Sequence, residues 1–196
     1  QLKIAQDAVK KGVKVWASPW SPVKAWQTVI GKDNSGNDEL GFNFSYATQW
    51  ATLLANYAKD MIKAGVPLYA ISAQNEPDGR NFNHFTADEL VRWIRDYLGP
   101  AMENTGVKII APETVNWYSF PSYKDAILKD AKASAYVPIV ATHEYGGSPK
   151  AYPDIAAAGK EFWQTEIYES LNVTDPGINS AINTARPQKS GRQPTS

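Results

Sequence analysis

The sequence contains no cysteine, only two histidines and no excess of charge of either sign. Without cysteine there is no disulfide bond, no thiol catalysis and no cysteine-ligated zinc. Twenty basic side chains balance twenty acidic ones, which argues against a surface that binds a polyanion such as nucleic acid. No apolar run approaches the roughly 18 residues of a membrane-spanning helix, so we expect neither a nucleic acid nor a membrane as partner.

Metal and nucleotide sites also have little support in the sequence. His84 and His143 lack the i, i+4 spacing of a histidine pair on a helix, so we predict no metal ion. The acidic segment 33–39 has some features of a calcium-binding loop, but its glycine is misplaced for that motif. A nucleotide-binding open sheet would need a glycine-rich phosphate loop, which is missing. We therefore predict that the protein uses no cofactor.

What the sequence does contain is aromatic residues. Seven Trp, ten Tyr and six Phe make up 12% of its 196 residues. Some of these rings belong to the core of one globular domain, for which a hydrophobic content of 43% suffices. A surplus of rings can also form a platform for flat, hydroxylated ligands such as sugars.

Segments with helical and strand-like patterns alternate along the chain. Apolar side chains at helical spacing predict helices over these ranges: 1–11, 44–63, from 86 onward, near 122–132, and 175–185. Short apolar runs between them predict five strands: 13–18, 66–73, 107–111, 137–142 and 162–165. Because strands separated by helices form parallel sheets, the predicted fold class is α/β, with five parallel strands and outer helices.

Some segments are predicted to lie outside this alternation. Residues 31–43 are a loop by composition, and Ser45 is the predicted N-cap of the helix that follows. Residues 1–11 have the pattern of a helix rather than of a signal peptide. Residues 186–196 are polar, with basic but no acidic side chains, and are predicted to be a disordered tail. A single domain over 1–185 is therefore expected.

The strand ends carry the residues that could do chemistry. In parallel α/β folds the reactive side chains lie beyond the carboxyl ends of the strands. The carboxylates at these ends are Glu76, Glu113, Glu144 and Glu166. Two facing carboxylates are the usual means of cleaving a glycosidic bond, because one protonates the leaving oxygen while the other attacks the anomeric carbon or activates water.

Of these four, Glu76 is the candidate acid and Glu166 the candidate nucleophile. Glu76 stands between Asn75 and Pro77, and Glu166 ends a short apolar strand. A carboxyl group that acts as an acid needs a raised pKa, through burial or a nearby like charge. The two residues are far apart in sequence, so only the tertiary fold can bring them together.

Five segments resemble glycoside hydrolase family 30, in the order that the family has them. Residues 71–78 (ISAQNEPD) resemble the strand end that carries the acid/base in clan A glycoside hydrolases, and 163–166 (WQTE) resemble the nucleophile strand of family 30. The others are 15–22 (VWASPWSP), 111–113 (APE) and 142–147 (THEYGG). Five motifs in order are far more specific than a lone Asn-Glu-Pro.

This resemblance implies a (β/α)8 barrel enzyme that hydrolyses β-glycosides with retention of configuration. Glu76 would be the general acid/base and Glu166 the nucleophile, with their carboxyl groups about 5–5.5 Å apart. Asn75 would hydrogen-bond the sugar 2-hydroxyl, and Tyr145 would hold Glu166 in its orientation. The implied substrate is a plant cell-wall polysaccharide, with xylan or glucuronoxylan favoured, as for an endo-β-1,4-xylanase. Members of the family are mostly secreted.

Four further residues have implied binding or supporting roles. Trp20 and Trp117 would stack on sugar faces. Glu113 would support the site by hydrogen bonding, with a solvated loop position as the open alternative. His143 is expected to support the site through a hydrogen bond rather than to act as a general base.

The sequence departs from the family in its extent. Its five strands match barrel strands three to seven, whereas strands one, two and eight and the family's β-sandwich side domain are missing. It therefore resembles a truncated catalytic domain, whose edge strands 13–18 and 162–165 would expose unpaired backbone groups and could join copies into a homo-oligomer. Two functions stay open: a hydrolase, or a catalytically weak or dead fragment that only binds β-linked polysaccharide.

Overall fold

The computed structural model describes residues 1–80 and 82–167. The helix predicted over 175–185 and the disordered tail predicted over 186–196 lie outside these residues. Within the described part of the chain, no helix has both the length and the apolar character needed to cross a membrane.

A five-stranded parallel sheet forms the framework of the protein. Its strands lie side by side in the order β1, β4, β5, β6, β7, and every neighbouring pair is parallel. Their bounds are Trp16–Ala17, Ala70–Ser72, Lys108–Thr114, Ile139–His143 and Glu161–Glu166. The predicted fold is confirmed: five parallel strands with flanking helices form half of a barrel.

Burial differs between the middle and the edges of this sheet. The central strands β4 and β6 are buried along their whole length, as is typical of parallel strands covered on both faces. The edge strands are more open: Trp16 of β1 is exposed, and Thr165 is the one buried residue of β7. Both edges are the ones that the sequence predicts to be unpaired.

Residues 27–42 form a β-hairpin, where the sequence analysis predicts a loop over 31–43. Strand β2 (Gln27–Lys32) pairs with the antiparallel strand β3 (Asp38–Phe42). The Asp33 carboxylate accepts hydrogen bonds from backbone N–H groups of the turn between them. The loop prediction was wrong because the Gly, Asn and Asp residues that suggested it form only the tip of the hairpin.

Helices flank the sheet and connect its strands. They are α1 (Leu2–Lys10), α2 (Ala47–Lys63), α3 (Ala87–Trp93), α4 (Gly99–Met102), α5 (Phe120–Lys129), α6 (Ala131–Tyr136) and α7 (Pro153–Ala157). A π-helical turn, Ile94–Leu98, joins α3 to α4. The helix predicted near 122–132 is two helices, because Asp130 ends α5 and caps the first turn of α6.

Capping side chains decide where two of the helices begin. Thr86 and Glu89 form a reciprocal capping box at the start of α3. Before α2 the chain makes a 3-10 turn whose cap is Asn43, which accepts a hydrogen bond from the backbone N–H of Ser45. The prediction of Ser45 as N-cap of α2 was therefore wrong, since that helix begins after Tyr46.

The main hydrophobic core lies between the sheet and the helices. Its largest fully buried side chains include Trp93, Phe85 and Phe120. Phe42 of the hairpin stacks on Phe85, with ring centroids 5.2 Å apart, so the hairpin belongs to the same core. The Trp93 indole N–H donates a hydrogen bond of 3.0 Å to the carbonyl of Ala73, directly after β4.

The opposite, concave face of the sheet has a smaller apolar cluster. It consists of Ala70, Ile110, Ile139 and Ala141, with Tyr69 and Trp163 packed against it. At one end of this face the Lys108 ammonium donates to Tyr69 and to Glu161, at 2.6 and 2.8 Å. This face corresponds to the interior of a closed barrel.

We expect Trp93→Phe to lower the free energy of unfolding by about 2 kcal/mol, because it leaves a cavity and removes the donor from a buried carbonyl. Urea unfolding with an unchanged m-value measures the loss. Trp20→Phe is the matched control: the Trp20 side chain is half exposed, so its replacement should change stability by no more than about 0.5 kcal/mol. Equal losses in the two variants would contradict the packing described here.

Candidate active site

The carboxyl ends of four neighbouring strands bring the candidate residues together. Glu76 follows β4, whereas Glu113 lies in β5. Both residues have a left-handed backbone conformation, with φ of 46° for Glu76 and 55° for Glu113. The backbone N–H of Glu76 donates to the carbonyl of Glu113 at 3.0 Å. Non-glycine residues in this conformation are uncommon and concentrate at functional sites, where the surrounding structure offsets the strain.

Glu76 and Glu166 face each other at this edge. Three atoms lie within 4.8 Å of one another: a carboxylate oxygen of Glu76, a carboxylate oxygen of Glu166 and a ring nitrogen of His143. Both side chains are partly buried: that of Glu76 is 14% exposed, and Glu166 is of intermediate exposure. The fold thus joins the two carboxylates that the sequence analysis selects.

His143 links Glu76 to the buried Glu113. Its Nδ1 is 3.1 Å from Glu76 Oε1, and its Nε2 is 3.9 Å from Glu113 Oε1. The Glu113 side chain is almost fully buried and accepts a hydrogen bond of 2.7 Å from the Ser18 hydroxyl. Glu113 therefore lies inside the site, so a solvated loop position does not describe it.

These contacts decide the charge of the buried imidazole. Burial alone would lower the pKa of His143, but its contacts with the Glu113 and Glu76 carboxylates outweigh burial and raise that pKa to about 9. Burial likewise acts to raise the pKa of Glu113, and the nearby charge of His143 and the hydrogen bond from Ser18 outweigh it and hold that pKa below its usual range. At neutral pH the pair is an imidazolium and a carboxylate.

Tyr145 orients the other carboxylate. Its hydroxyl donates a hydrogen bond of 2.8 Å to Glu166 Oε1. Burial, together with the hydrogen bond and the charge of Glu166, raises the pKa of Tyr145, so the phenol keeps the proton that it donates. Among the described residues, this bond thus engages one of the two carboxylate oxygens of Glu166.

Asn75 and Trp20 lie beside this pair, on two different strand ends. Asn75 is buried, and within the described part of the chain its Nδ2 has no hydrogen-bond partner. Its backbone N–H donates to the carbonyl of Pro19 at 2.9 Å, which places it next to Trp20. The Trp20 ring is half exposed and meets the ring of Phe82 edge-on, with centroids 4.9 Å apart.

Trp117 does not belong to this group. Its side chain is 4% exposed and stacks on Tyr152, between Phe120 and Phe162, in the main core. A buried ring has no free face for a sugar, so the structure corrects the prediction that Trp117 forms part of a sugar platform. The position after a strand end is shared by platform and core residues, and only the tertiary packing separates them.

Three residues with a role in this geometry have no place among the predicted site residues. Ser18 hydrogen-bonds Glu113, and Gln74 bonds two backbone carbonyls beside the site. Asp78 accepts a hydrogen bond of 2.9 Å from the backbone N–H of Val115 and also bonds Ser119. Ser18 lies in the motif 15–22, and Gln74 and Asp78 lie in the motif 71–78. Their positions in these motifs could have identified all three from the sequence.

Comparison with known proteins identifies the family of the chain. Residues 1–174 match the model of the glycosyl hydrolase family 30 TIM-barrel domain. The chain belongs to that family. It is 32% identical over 173 residues to glucuronoxylanase XynC of Bacillus subtilis, and 30% identical over 197 residues to an endo-1,6-beta-D-glucanase of Neurospora crassa. These alignments cover 86% and 91% of the chain, but 39% and 38% of the two relatives.

A solved structure of another family 30 protein shows the same fold. The chain superimposes on a GH30 endoxylanase from Clostridium papyrosolvens with a TM-score of 0.77 and 31% sequence identity. The match covers 93% of this chain and 46% of that one. The chain thus spans about two fifths of the curated relatives it matches and just under half of this solved neighbour.

The same cluster has the spacing of a metal site. Glu76, His143 and Glu166 each offer one ligand atom within 4.8 Å of the others. A metal ion would have to displace the proton of His143, whose pKa the two neighbouring carboxylates raise. His143 lies between these carboxylates, with Nδ1 3.1 Å from Glu76 and Nε2 3.9 Å from Glu113.

The protonation of His143 is directly measurable, because the chain has only two histidines. We expect its imidazole nitrogens to titrate with a midpoint near 9 in long-range ¹H–¹⁵N spectra. The variant His84→Gln assigns the two sets of signals, and Glu113→Gln should move the His143 midpoint downward. A midpoint at or below 6.5 would contradict the network.

The raised pKa of His143 also predicts how the free energy of unfolding depends on pH. Because the folded pKa of His143, about 9, lies above its ordinary value of 6.5, its contribution is fully present below pH 6.5 and is lost as the pH rises through 9. The contribution is at most about 3 kcal/mol. The difference in unfolding free energy between wild type and His143→Gln should therefore shrink over that range, as urea unfolding at a series of pH values measures.

Proposed function

We propose that this protein is a retaining β-glycoside hydrolase. The observation that carries the proposal is the approach of Glu76 and Glu166 to within 4.8 Å between carboxylate oxygens. Retaining enzymes hold their two carboxyl groups about 5–5.5 Å apart, whereas inverting enzymes leave about 6.5–9.5 Å for a water molecule. Membership of glycosyl hydrolase family 30 supports the reaction class.

In the first step Glu166 attacks the anomeric carbon and Glu76 protonates the leaving oxygen. The attacking atom is Oε2 of Glu166, since Oε1 accepts the hydrogen bond from Tyr145. The product is a glycosyl ester on Glu166 and a free sugar hydroxyl. Glu76 becomes negatively charged as it gives up its proton, and the protonated His143 at 3.1 Å stabilises that charge.

In the second step a water molecule replaces the departed sugar. Glu76, now a carboxylate, takes a proton from this water as it attacks the anomeric carbon, and the bond to Glu166 breaks. The Tyr145 hydroxyl stabilises the Glu166 carboxylate that is released. The unpartnered Nδ2 of the buried Asn75 supplies a donor for the sugar 2-hydroxyl, where hydrogen bonds strengthen in the transition state.

The proposed substrate is xylan or glucuronoxylan. The half-exposed ring of Trp20 beside Asn75 is suited to stack on a sugar face. Among the relatives, the Bacillus protein is named a glucuronoxylanase and the Neurospora protein an endo-1,6-beta-D-glucanase, so a β-1,6-glucan is the polymer to compare. Because such polymers do not cross membranes, we also propose that the protein acts outside the cell.

A second function is favoured by the open form of the sheet. The edge strands β1 and β7 have no further partner among the described residues, so one side of the cleft lacks a wall there. Trp20 and Asn75 would still bind a polysaccharide in this form, even if the carboxylates turned it over slowly. The alternative is therefore a fragment that binds β-linked polysaccharide without hydrolysing it.

The stereochemistry of the reaction tests the proposed mechanism. We expect the first sugar released from an oligosaccharide to have the β configuration at its new reducing end, because two displacements restore the original configuration. Proton NMR in the first minutes of hydrolysis records the anomer before mutarotation. An α product would assign Glu76 to an inverting mechanism and contradict the proposal.

Isosteric substitutions test the two carboxylates. Glu76→Gln and Glu166→Gln should each lower kcat/KM on xylan by about 10²-fold or more. The matched control is Glu144→Gln at the same sheet edge, where the residue contributes its backbone N–H to the Glu166 carbonyl, and its activity should stay within about threefold. Folded wild type that binds xylo-oligosaccharides but releases no reducing sugar would establish the binding fragment instead.

Azide distinguishes the two roles. In Glu76→Ala, azide should restore turnover of an activated aryl glycoside and yield the β-glycosyl azide, since the small anion replaces water at the ester on Glu166. In Glu166→Ala it should yield the α-glycosyl azide, because it takes the place of the missing nucleophile. Mass spectrometry and NMR identify the products, and the reverse pairing would exchange the two assignments.

A further inference from the structure

Gln74 is buried between two segments that border the cleft. Its side-chain amide donates hydrogen bonds to the carbonyl of Trp20, at 2.7 Å, and to the carbonyl of Asn75, at 2.9 Å. Trp20 follows β1, whereas Asn75 follows β4, so one amide group ties the ends of two strands. The Gln74 side chain is fully buried, and both of its N–H donors are used.

Asn83 fixes the orientation of this amide. Its Nδ2 donates to Gln74 Oε1 at 3.0 Å, and Asn83 is fully buried as well. If the Gln74 amide were reversed, its oxygen would face two carbonyl oxygens and its nitrogen would face the Asn83 amino group. Both contacts would be repulsive, so only one orientation satisfies the hydrogen bonds.

The segment around Asn83 is in turn held by the hairpin. Leu40 of β3 donates its N–H to the carbonyl of Arg80 at 2.9 Å and accepts from the N–H of His84 at 2.8 Å. Phe82, next to Asn83, packs edge-on against the Trp20 ring. Trp20 is thus fixed at two points: Phe82 contacts its ring, and Gln74 holds its carbonyl.

We propose that Gln74 is a positioning residue: it fixes the sugar platform on Trp20 relative to the acid/base Glu76. This inference rests on the proposed function. A sugar bound on Trp20 reacts only if its glycosidic oxygen lies at the Glu76 carboxyl group, and a misplacement of about 1 Å can cost about 10²-fold in rate. Gln74 sets that distance through the backbone carbonyls on either side, without touching the substrate.

The variant Gln74→Glu tests this role. A carboxyl group donates at most one hydrogen bond and a carboxylate none, so at least one of the two ties is lost in either protonation state. We expect KM for a xylo-oligosaccharide to rise roughly tenfold, because a displaced Trp20 ring no longer stacks on a sugar held at Glu76. The matched control is Gln6→Glu, which removes the same kind of bond, to the carbonyl of Ala64, on the remote helix α1. It should leave KM unchanged.

A double-mutant cycle separates positioning from general destabilisation. If Gln74 acts through the platform, Gln74→Glu should raise KM in wild type but not in the Trp20→Ala background. Additive effects of the two substitutions on KM would overturn the proposal. Should Gln74→Glu fail to fold, Asn83→Leu replaces it, because it removes the donor that orients Gln74 and should give the same dependence on Trp20.

Fluorine NMR tests the positioning without any turnover. Labelling with 5-fluorotryptophan gives one signal for each of the seven tryptophans, and Trp20→Phe assigns the Trp20 signal. Gln74→Glu should shift or broaden that signal, whereas Gln6→Glu should not. A Trp20 signal unchanged by Gln74→Glu would overturn the inference even if the wild type hydrolyses xylan. A wild type that hydrolyses nothing, with the Trp20 signal shifted as expected, would count against the proposed function alone.

Discussion

The structure of the site depends on one buried charge, the carboxylate of Glu113. A carboxylate that is almost fully buried is stable only with a partner, and its partners are the imidazolium of His143 and the hydroxyl of Ser18. The other ring nitrogen of His143, Nδ1, lies 3.1 Å from Glu76 Oε1. The positive charge on His143 thereby pairs with both carboxylates, and in the proposed mechanism it also balances the charge that Glu76 acquires when it protonates a leaving group.

This chain of contacts explains why the residues come from several strands. The side chains of a single strand alternate between its two faces, so one strand end cannot present a nucleophile, an acid and their supports to the same point. Parallel strands with all carboxyl ends at one edge solve that problem, since each contributes one or two groups. The hairpin β2–β3 lies outside this scheme, yet it reaches the site through Arg80 and His84, which it holds by backbone hydrogen bonds.

The sequence predicted the fold, and it selected residues that the structure brings together in the candidate site, because both follow from local signals. Short apolar runs separated by amphipathic helices indicate a parallel sheet, and the acids stand directly at the strand ends. The failures concern residues whose role depends on distant packing. Trp117 occupies the same kind of position as Trp20, but Tyr152 and Phe162 cover its ring. Gln74 carries no charge, and its side-chain hydrogen bonds to Trp20, Asn75 and Asn83 form only in the folded chain.

Among residues 1–80 and 82–167, the contacts that orient the two carboxylates lie within the half-barrel. Tyr145 and Glu166 meet across the ends of β6 and β7, and Glu76 meets His143 across the ends of β4 and β6. None of these bonds needs a group from another strand. The concave face, in contrast, leaves apolar side chains such as Trp16 partly open. Completion of the barrel would therefore bury that face and add cleft wall, whereas the contacts of Tyr145 with Glu166 and of His143 with Glu76 are already made among the described residues.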